Sequence, residues 1–110
     1  MAYTAINDPG SVFSALVWSG AAGAQSITGV GFQPDVVWGK NILATANHQL
    51  LDSPRGVGKP LEVNTSDEEK NDPASSLSSF DADGFTLAGS SSMNASGTNN
   101  IVSWNWKLGT

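Results

Sequence analysis

Glycine and proline interrupt the chain at short intervals, and these breaks limit the regular structure that it can form. Twelve glycines and five prolines are spread over 110 residues. No stretch keeps apolar residues at the helical period of about 3.6 residues. The segments between the breaks are short and rich in β-branched and aromatic residues, which is typical of the strands of a sandwich or jelly roll. They lie at residues 12–18, 26–30, 35–42, 48–51, 61–64, 77–80, 85–88 and 101–108.

Composition excludes several classes of protein. The chain has no cysteine, which excludes a disulfide scaffold, a thiol nucleophile and a Cys-ligated metal site. Five basic residues are scattered along a chain of net charge −5, whereas a nucleic-acid-binding face needs clustered Lys and Arg. No apolar run approaches the ~20 residues of a membrane span, and the N-terminus lacks the pattern of a signal peptide. We therefore expect no nucleic-acid or membrane partner.

The last predicted strand has one apolar and one polar face. Val102, Trp104, Trp106 and Leu108 alternate with Ser103, Asn105 and Lys107. In a half-buried antiparallel strand the apolar face turns towards the core, which places Trp104 and Trp106 inside. The alternative is an open aromatic platform on which sugars stack. The predicted aromatic core consists of Trp38, Phe80, Phe85, Trp104 and Trp106.

Residues that could carry catalysis are few. His48 is the single histidine, and Asp52 and Ser53 lie near it in the sequence. However, Ser53 has no G-x-S-x-G motif around it and Pro54 follows it. We therefore expect no enzymatic activity and no cofactor. His48, Asp52 and Arg55 are predicted to form a structural network that fixes a loop.

Two further polar segments are predicted to be structural. The Asp81-x-Asp83-Gly84 segment is interpreted as a hairpin turn in which Gly84 can adopt a positive φ. It superficially resembles the start of a calcium loop, but it lacks the other oxygen ligands, so no metal site is predicted. Residues 90–100 are rich in Ser, Asn and Gly, and Met93 is expected to attach them to the body. The glycosylation pattern Asn94-Ala95-Ser96 is interpreted as a chance match.

Four ordered segments resemble a domain found in structural proteins of tailed, especially marine, bacteriophages. They read SITGVGFQPDVVWGKN at residues 26–41, NHQLLDSPRG at 47–56, LSSFDADGF at 77–85 and VSWNWK at 102–107. The resemblance implies an all-β fold, an antiparallel β-sandwich of concanavalin-like or jelly-roll type, without established catalytic residues. The chain departs from the pattern at Gly39, where a bulky aliphatic residue is usual, and at Pro54, which replaces an aliphatic residue. It also departs at Asn105, where Cys is frequent, and we expect Asn105 to face outwards.

The resemblance also leads to an expected function. The chain begins with Met and ends shortly after the last predicted strand, so we expect a separate virion subunit with an arm at residues 1–10 and one domain at residues 11–110. The leading hypothesis is a capsid decoration protein, assembled into the virion in the host cytoplasm. It would bind the major capsid protein or another virion protein as a homo-oligomer, for instance a trimer. Its docking arm would use Tyr3, Ile6, Asp8 and Pro9. The alternatives are a tail- or fibre-associated module that binds a host surface glycan, another virion connector, or an enzyme.

Overall fold

Short strands joined by long polar loops make up the chain. A computed structural model describes residues 9–108. Within them lie one short 3-10 helix, Pro9–Ser11, and seven strands, labelled in chain order. The strands are β1 Phe13–Trp18, β2 Gln25–Ile27, β3 Val36–Asn41, β4 Gln49–Asp52, β5 Leu77–Asp81, β6 Gly84–Leu87 and β7 Ile101–Trp106.

The strands form two antiparallel sheets. The large sheet has the order β1-β7-β3-β4, and the small sheet has the order β2-β6-β5. The prediction of an all-β, antiparallel β-sandwich is thus confirmed. The predicted strand at residues 61–64 forms only an isolated bridge, in which Leu61 pairs with Leu50 of β4. Within residues 9–108, the first and last strands, β1 and β7, are neighbours in the large sheet.

The apolar core lies between the two sheets. Trp18, Val37, Leu51 and Ile101 come from the large sheet, Ile27, Leu77, Phe85 and Leu87 from the small sheet, and Met93 from a loop. Trp18 and Phe85 meet edge to face, with ring centroids 6.1 Å apart. Phe85 is fully buried, as predicted, and Phe80 is partly buried and packs against this core.

The tryptophans of β3 and β7 do not lie in this core, which corrects the prediction. In β7 the buried residues are Ile101, Ser103 and Asn105, whereas Trp104 and Trp106 are only half-buried. Trp38 is likewise half-buried, between the buried Val37 and Gly39. Trp38 and Trp104 pair in register, so all three tryptophans lie on the outer face of the large sheet.

Small residues on the inner face of β3 and β7 explain why the tryptophans of these strands lie on the outer face. The space over these small residues is filled by bulky side chains from β1 and from a loop. Trp18 lies on the inner face of β1, and its Nε1–H donates to Ser103 Oγ at 3.2 Å. Met93 packs over Gly39, so closely that a Cβ at position 39 would lie 2.6 Å from its Cε. Gly39 therefore stands where an aliphatic residue was expected because Met93 fills that volume. Met93 also attaches its polar loop to the body, as expected.

Asn105 and Asn94 are buried polar residues, and each has backbone partners. Asn105 was expected to face outwards, but it is fully buried and its Nδ2–H donates to the carbonyl of Ser14 at 3.0 Å. Asn94 is also fully buried. Its Oδ1 accepts from the Ala21 N–H, and its Nδ2 donates to the carbonyls of Gly23 and Gly89. Because a buried amide is costly to leave unbonded, Asn94 fixes the loops that surround it.

The contact between Gly39 and Met93 predicts a compensating pair of substitutions. Gly39→Val should overpack the core and cost about 1–3 kcal/mol of unfolding free energy. Met93→Ala should leave a cavity and cost about 2–5 kcal/mol. The double variant should lose less than the sum by more than about 0.5 kcal/mol, since the new valine occupies the volume left by the methionine. Urea denaturation followed by tryptophan fluorescence measures all three values, and strict additivity would contradict this packing.

Candidate functional site

The outer face of the large sheet carries three cross-strand rows of side chains. Their positions follow from the strand registers, because directly paired residues share a face. The rows are Phe13–Trp106–Val36–Asp52, Ala15–Trp104–Trp38–Leu50 and Val17–Val102–Lys40. We call this surface the aromatic face. It is unusual for a two-sheet sandwich, in which outward-facing positions are ordinarily polar.

The aromatic side chains of this face pack against one another and remain accessible. Phe13 and Trp106 have ring centroids 5.2 Å apart, and those of Trp38 and Trp104 are 5.4 Å apart. Phe13 is 39% exposed, and Val17 is 56% exposed. Tilted ring pairs of this kind are favourable aromatic contacts. The face is therefore a packed, partly accessible apolar surface.

Charged groups of the aromatic face already have partners. The Lys40 ammonium donates to the carbonyls of Asn41 and Ala44, the latter at 3.1 Å. Asp52 accepts from the guanidinium of Arg55, with Nε and Oδ2 2.8 Å apart. Both charged residues lie at the ends of the rows on β3 and β4, whereas the centre of the face and its edge on β1 are apolar.

His48 does not belong to the network predicted for it. Its ring lies beside that of Trp38, with centroids 6.1 Å apart, and its backbone N–H donates to Asn64 Oδ1. No hydrogen bond joins it to Asp52 or Arg55 among the described side chains, and its Nδ1 is buried without a partner there. His48 and Asp52 are separated because they lie at opposite ends of β4: His48 immediately precedes the strand, and Asp52 is its last residue.

Asp52 and Arg55 do form the predicted contact, and other groups complete it. The Arg55 guanidinium also contacts Glu69 Oε1 at 3.0 Å and the carbonyls of Leu50 and Lys59. Burial by itself would lower the pKa of Arg55, but the hydrogen bonds with Asp52 and Glu69 outweigh it and raise that pKa. The cluster ties the loop after β4 to the strand, which is a structural role.

A second polar cluster on the same loop was not predicted. Glu62 is only 7% exposed, and it contacts Lys70 Nζ at 2.9 Å and the amide of Asn47 at 2.9 Å. The hydrogen bonds from Lys70 and Asn47 hold the pKa of Glu62 below its ordinary value, although burial opposes them. The sequence offered no signal for this cluster, because Asn47, Glu62 and Lys70 are brought together only by the fold.

The Asp81–Asp83 segment is a hairpin turn whose carboxylates accept hydrogen bonds from the protein itself. Asp83 accepts from the N–H groups of Gly31 at 2.7 Å and Gly29 at 3.0 Å, and these bonds hold its pKa below the ordinary value. Asp81 accepts from Thr86 Oγ1 and Ser79 Oγ, which likewise lower its pKa. Both carboxylates therefore fasten the hairpin.

Gly84 has a different role from the one predicted. It begins β6 and is not among the residues with positive φ. A Cβ at this position would lie 1.8 Å from the Ile27 carbonyl oxygen, so glycine allows β2 to approach β6 closely.

The proposed docking arm lies mostly outside the described residues. Tyr3, Ile6 and Asp8 fall there, whereas Pro9 is exposed and begins the 3-10 helix that packs against β1. Residues 9–108 contain no pocket and no cluster of three or more potential metal-ligating side chains. No helix in this range has the length and apolarity needed to cross a membrane.

The hydrogen bonds of Asp83 predict a pH-dependent stability. Since its folded pKa is lowered, the stabilisation is present above the unfolded value of about 3.9 and is lost as the pH falls through the folded value. Asp83→Asn should lower the melting temperature at neutral pH, and the difference from wild type should shrink below about pH 4. Thermal denaturation followed by circular dichroism measures this. Glu68→Gln is the control, since Glu68 is exposed and the charge change is the same. Equal melting temperatures for the two variants would contradict the assigned role.

Comparison with known proteins identifies a family without a known activity. No curated protein and no solved structure shows significant similarity to the chain. A family model described as a domain of unknown function, DUF7483, matches residues 8–110. That match covers β1 to β7, including every strand of the aromatic face. The chain therefore belongs to the DUF7483 family.

Proposed function

We propose that this protein is a non-enzymatic structural subunit of a bacteriophage virion, a capsid decoration protein that binds the outer shell through its aromatic face. The observation that carries this proposal is the pair of adjacent rows of partly accessible aromatic side chains on the outside of the large sheet. A partly accessible apolar surface on the outside of a sandwich favours binding to another protein. The resemblance of four sequence segments to phage structural proteins favours a virion protein, such as the major capsid protein, as that partner.

The chemistry of the face favours a protein partner over a sugar. A glycan site combines an aromatic ring with several hydrogen-bonding groups placed around it. Around Trp104, the paired neighbours on the face are Ala15 and Trp38, which lie in the same row. The Trp38 Nε1–H is buried and therefore does not point into solvent. Trp104 thus lies among apolar groups, which suits a hydrophobic protein surface.

The size of the face favours binding in many copies. Four strands about 4.8 Å apart, rising ~3.3 Å per residue, give a face of roughly 20 by 20 Å, or on the order of 400 Å². A standard protein interface covers about 800 Å² per partner. One face is therefore small for stable one-to-one binding, and an icosahedral shell would compensate by offering many sites to an oligomer of this protein.

The second candidate is a tail- or fibre-associated module that binds a host surface glycan. It is retained because Trp104 and Trp106 are half-buried side chains on the outer face of a sheet, where part of each ring is accessible to a sugar. The two candidates differ in what a polar substitution does. Protein docking fails when a charge enters the apolar centre, whereas stacking on an intact Trp104 tolerates a nearby carboxylate.

A charge at position 102 tests the docking face. Val102→Glu places a carboxylate beside Lys40 in the same row, an opposite-charge pair that the free protein tolerates. On the shell that carboxylate would be desolvated, so affinity should fall at least about tenfold. The control is Val57→Glu, at an exposed loop position beside Gly58, which bonds to β5 of the small sheet.

The measurement uses virions of the phage that encodes the chain, assembled without this protein and incubated with purified wild type or variant. Cryo-electron microscopy and quantitative mass spectrometry give position and occupancy. Full occupancy by Val102→Glu would overturn docking through the aromatic face. Wild-type protein at the tail only, with binding to a glycan array that Trp104→Ala abolishes, would overturn the capsid assignment in favour of the second candidate.

A further inference from the structure

We infer that the outer edge of β1 is a pairing edge for β1 of a second copy, so that two large sheets join across a twofold axis. A sheet edge presents unpaired N–H and C=O groups, and proteins ordinarily protect such edges by short strands, charges, prolines, bulges or covering loops. β1 has six residues, Phe-Ser-Ala-Leu-Val-Trp, with neither a charge nor a proline. Its register with β7 is regular over its whole length.

The other three edges of the two sheets are protected. The edge of β4 is covered, because Leu50 and Leu61 exchange backbone hydrogen bonds of 2.8 and 2.9 Å. The edge strand β5 has a register shift between Leu77 and Ser79. In addition, the Gly58 N–H donates a hydrogen bond to the Leu77 carbonyl, which leaves that group unavailable to another strand. β2 has only three residues. Within residues 9–108, no segment pairs with the outer edge of β1.

The hydrogen bonds to β7 show which groups of β1 point to the open edge. The Val12 carbonyl accepts from the Lys107 N–H at 2.8 Å, so Val12 bonds towards β7. Backbone groups alternate in direction along an antiparallel strand, and Ser14, Leu16 and Trp18 therefore also bond to β7. The N–H and C=O groups of Phe13, Ala15 and Val17 point away from the sheet.

Among the registers that this alternation allows, we choose the one that pairs the outward-pointing groups of all three residues, Phe13, Ala15 and Val17. Residues that face each other across antiparallel strands must lie on the same side of the sheet. With Ala15 opposite Ala15 of the second copy, Phe13 lies opposite Val17 and Val17 opposite Phe13. All three pairs use outward-pointing groups, which gives about six backbone hydrogen bonds. Aromatic residues paired with β-branched residues are favourable cross-strand neighbours, and β1 is uncharged although the chain carries a charge of −5.

The second copy is therefore the occupant that fits this edge, because the same strand supplies both halves of a self-complementary pair. The dimer would place two aromatic faces side by side as one surface of roughly 800 Å², the area of a standard interface for one partner. Dimerisation itself does not depend on the proposed virion function. A trimer, the symmetry considered from the sequence, is not compatible with this twofold pairing.

Two variants of Ala15 test the pairing in the full chain. Ala15→Pro removes the central N–H at the open edge and leaves the bonds from β1 to β7, a placement that edge strands tolerate. Ala15→Lys puts two like charges opposite each other at the axis, on an exposed position. Val57→Lys is the matched control for added charge. A wild-type far-UV circular dichroism spectrum and a cooperative urea transition would establish that the variants fold, and their midpoints should match that of wild type only at concentrations at which wild type is a monomer.

Sedimentation velocity over a micromolar to submillimolar series should show wild type and Val57→Lys with twice the mass of the 11.4 kDa chain. Both Ala15 variants should remain at the monomer mass. Hydrogen exchange supplies a residue-level readout. The amides of Phe13, Ala15 and Val17 should become protected as concentration rises, whereas those of Ser14 and Leu16 should be protected throughout.

Several outcomes would overturn the inference. They are a monomer at every concentration, a trimer, a dimer whose Phe13, Ala15 and Val17 amides stay unprotected, or protection of these amides in a monomer. The last result would mean that another part of the same chain covers the edge. A monomer that still occupies the virion would overturn this inference alone, and a dimer absent from the virion would overturn only the proposed function.

Discussion

Packing between the two sheets depends on small residues at the centre of the large sheet. Gly39 and Ser103 pair in register, and the space above them is taken by Met93 and the indole of Trp18. Because core volume is conserved in a well-packed protein, these two side chains exclude further bulk from β3 and β7. The tryptophans of those strands are therefore on the opposite face, where they form the accessible surface that we assign to docking.

Loops of this protein are fixed by polar side chains rather than by regular structure. Arg55 in the loop after β4 donates to the Leu50 carbonyl. The side chain of Asn94 forms hydrogen bonds with three backbone groups. The Asp83 carboxylate accepts hydrogen bonds from the N–H groups of Gly29 and Gly31. Except for the Leu50 carbonyl, which belongs to β4, the backbone groups bonded in these arrangements lie in no strand ladder. These loops are thus fixed by specific side-chain hydrogen bonds, which lowers the cost of ordering them on binding.

The predictions from sequence succeeded where local pattern decides the structure. The positions of Gly and Pro predicted the limits of most of the strands. The contact between Asp52 and Arg55 was also predicted, because these residues are only three positions apart in the chain. The prediction failed for the face of β7, because strict alternation marks two faces without showing which one is inside. The sequence of β1 did indicate that the outer face of the large sheet is apolar, because both sides of this strand carry apolar residues. These are Phe13, Ala15 and Val17 on one side and Leu16 and Trp18 on the other. A strand that is apolar on both faces is typical of one that is covered on both sides.

The sequence by itself determined the class of fold and the short antiparallel strands, because glycine, proline and β-branched residues act through local backbone preferences. It also determined the composition of the two faces of each strand. Only the tertiary structure decided which face is buried, since that depends on whether Met93 and Trp18, distant in sequence, fill the space over Gly39 and Ser103. The same packing placed Trp38, Trp104 and Trp106 outside, where they can meet a partner.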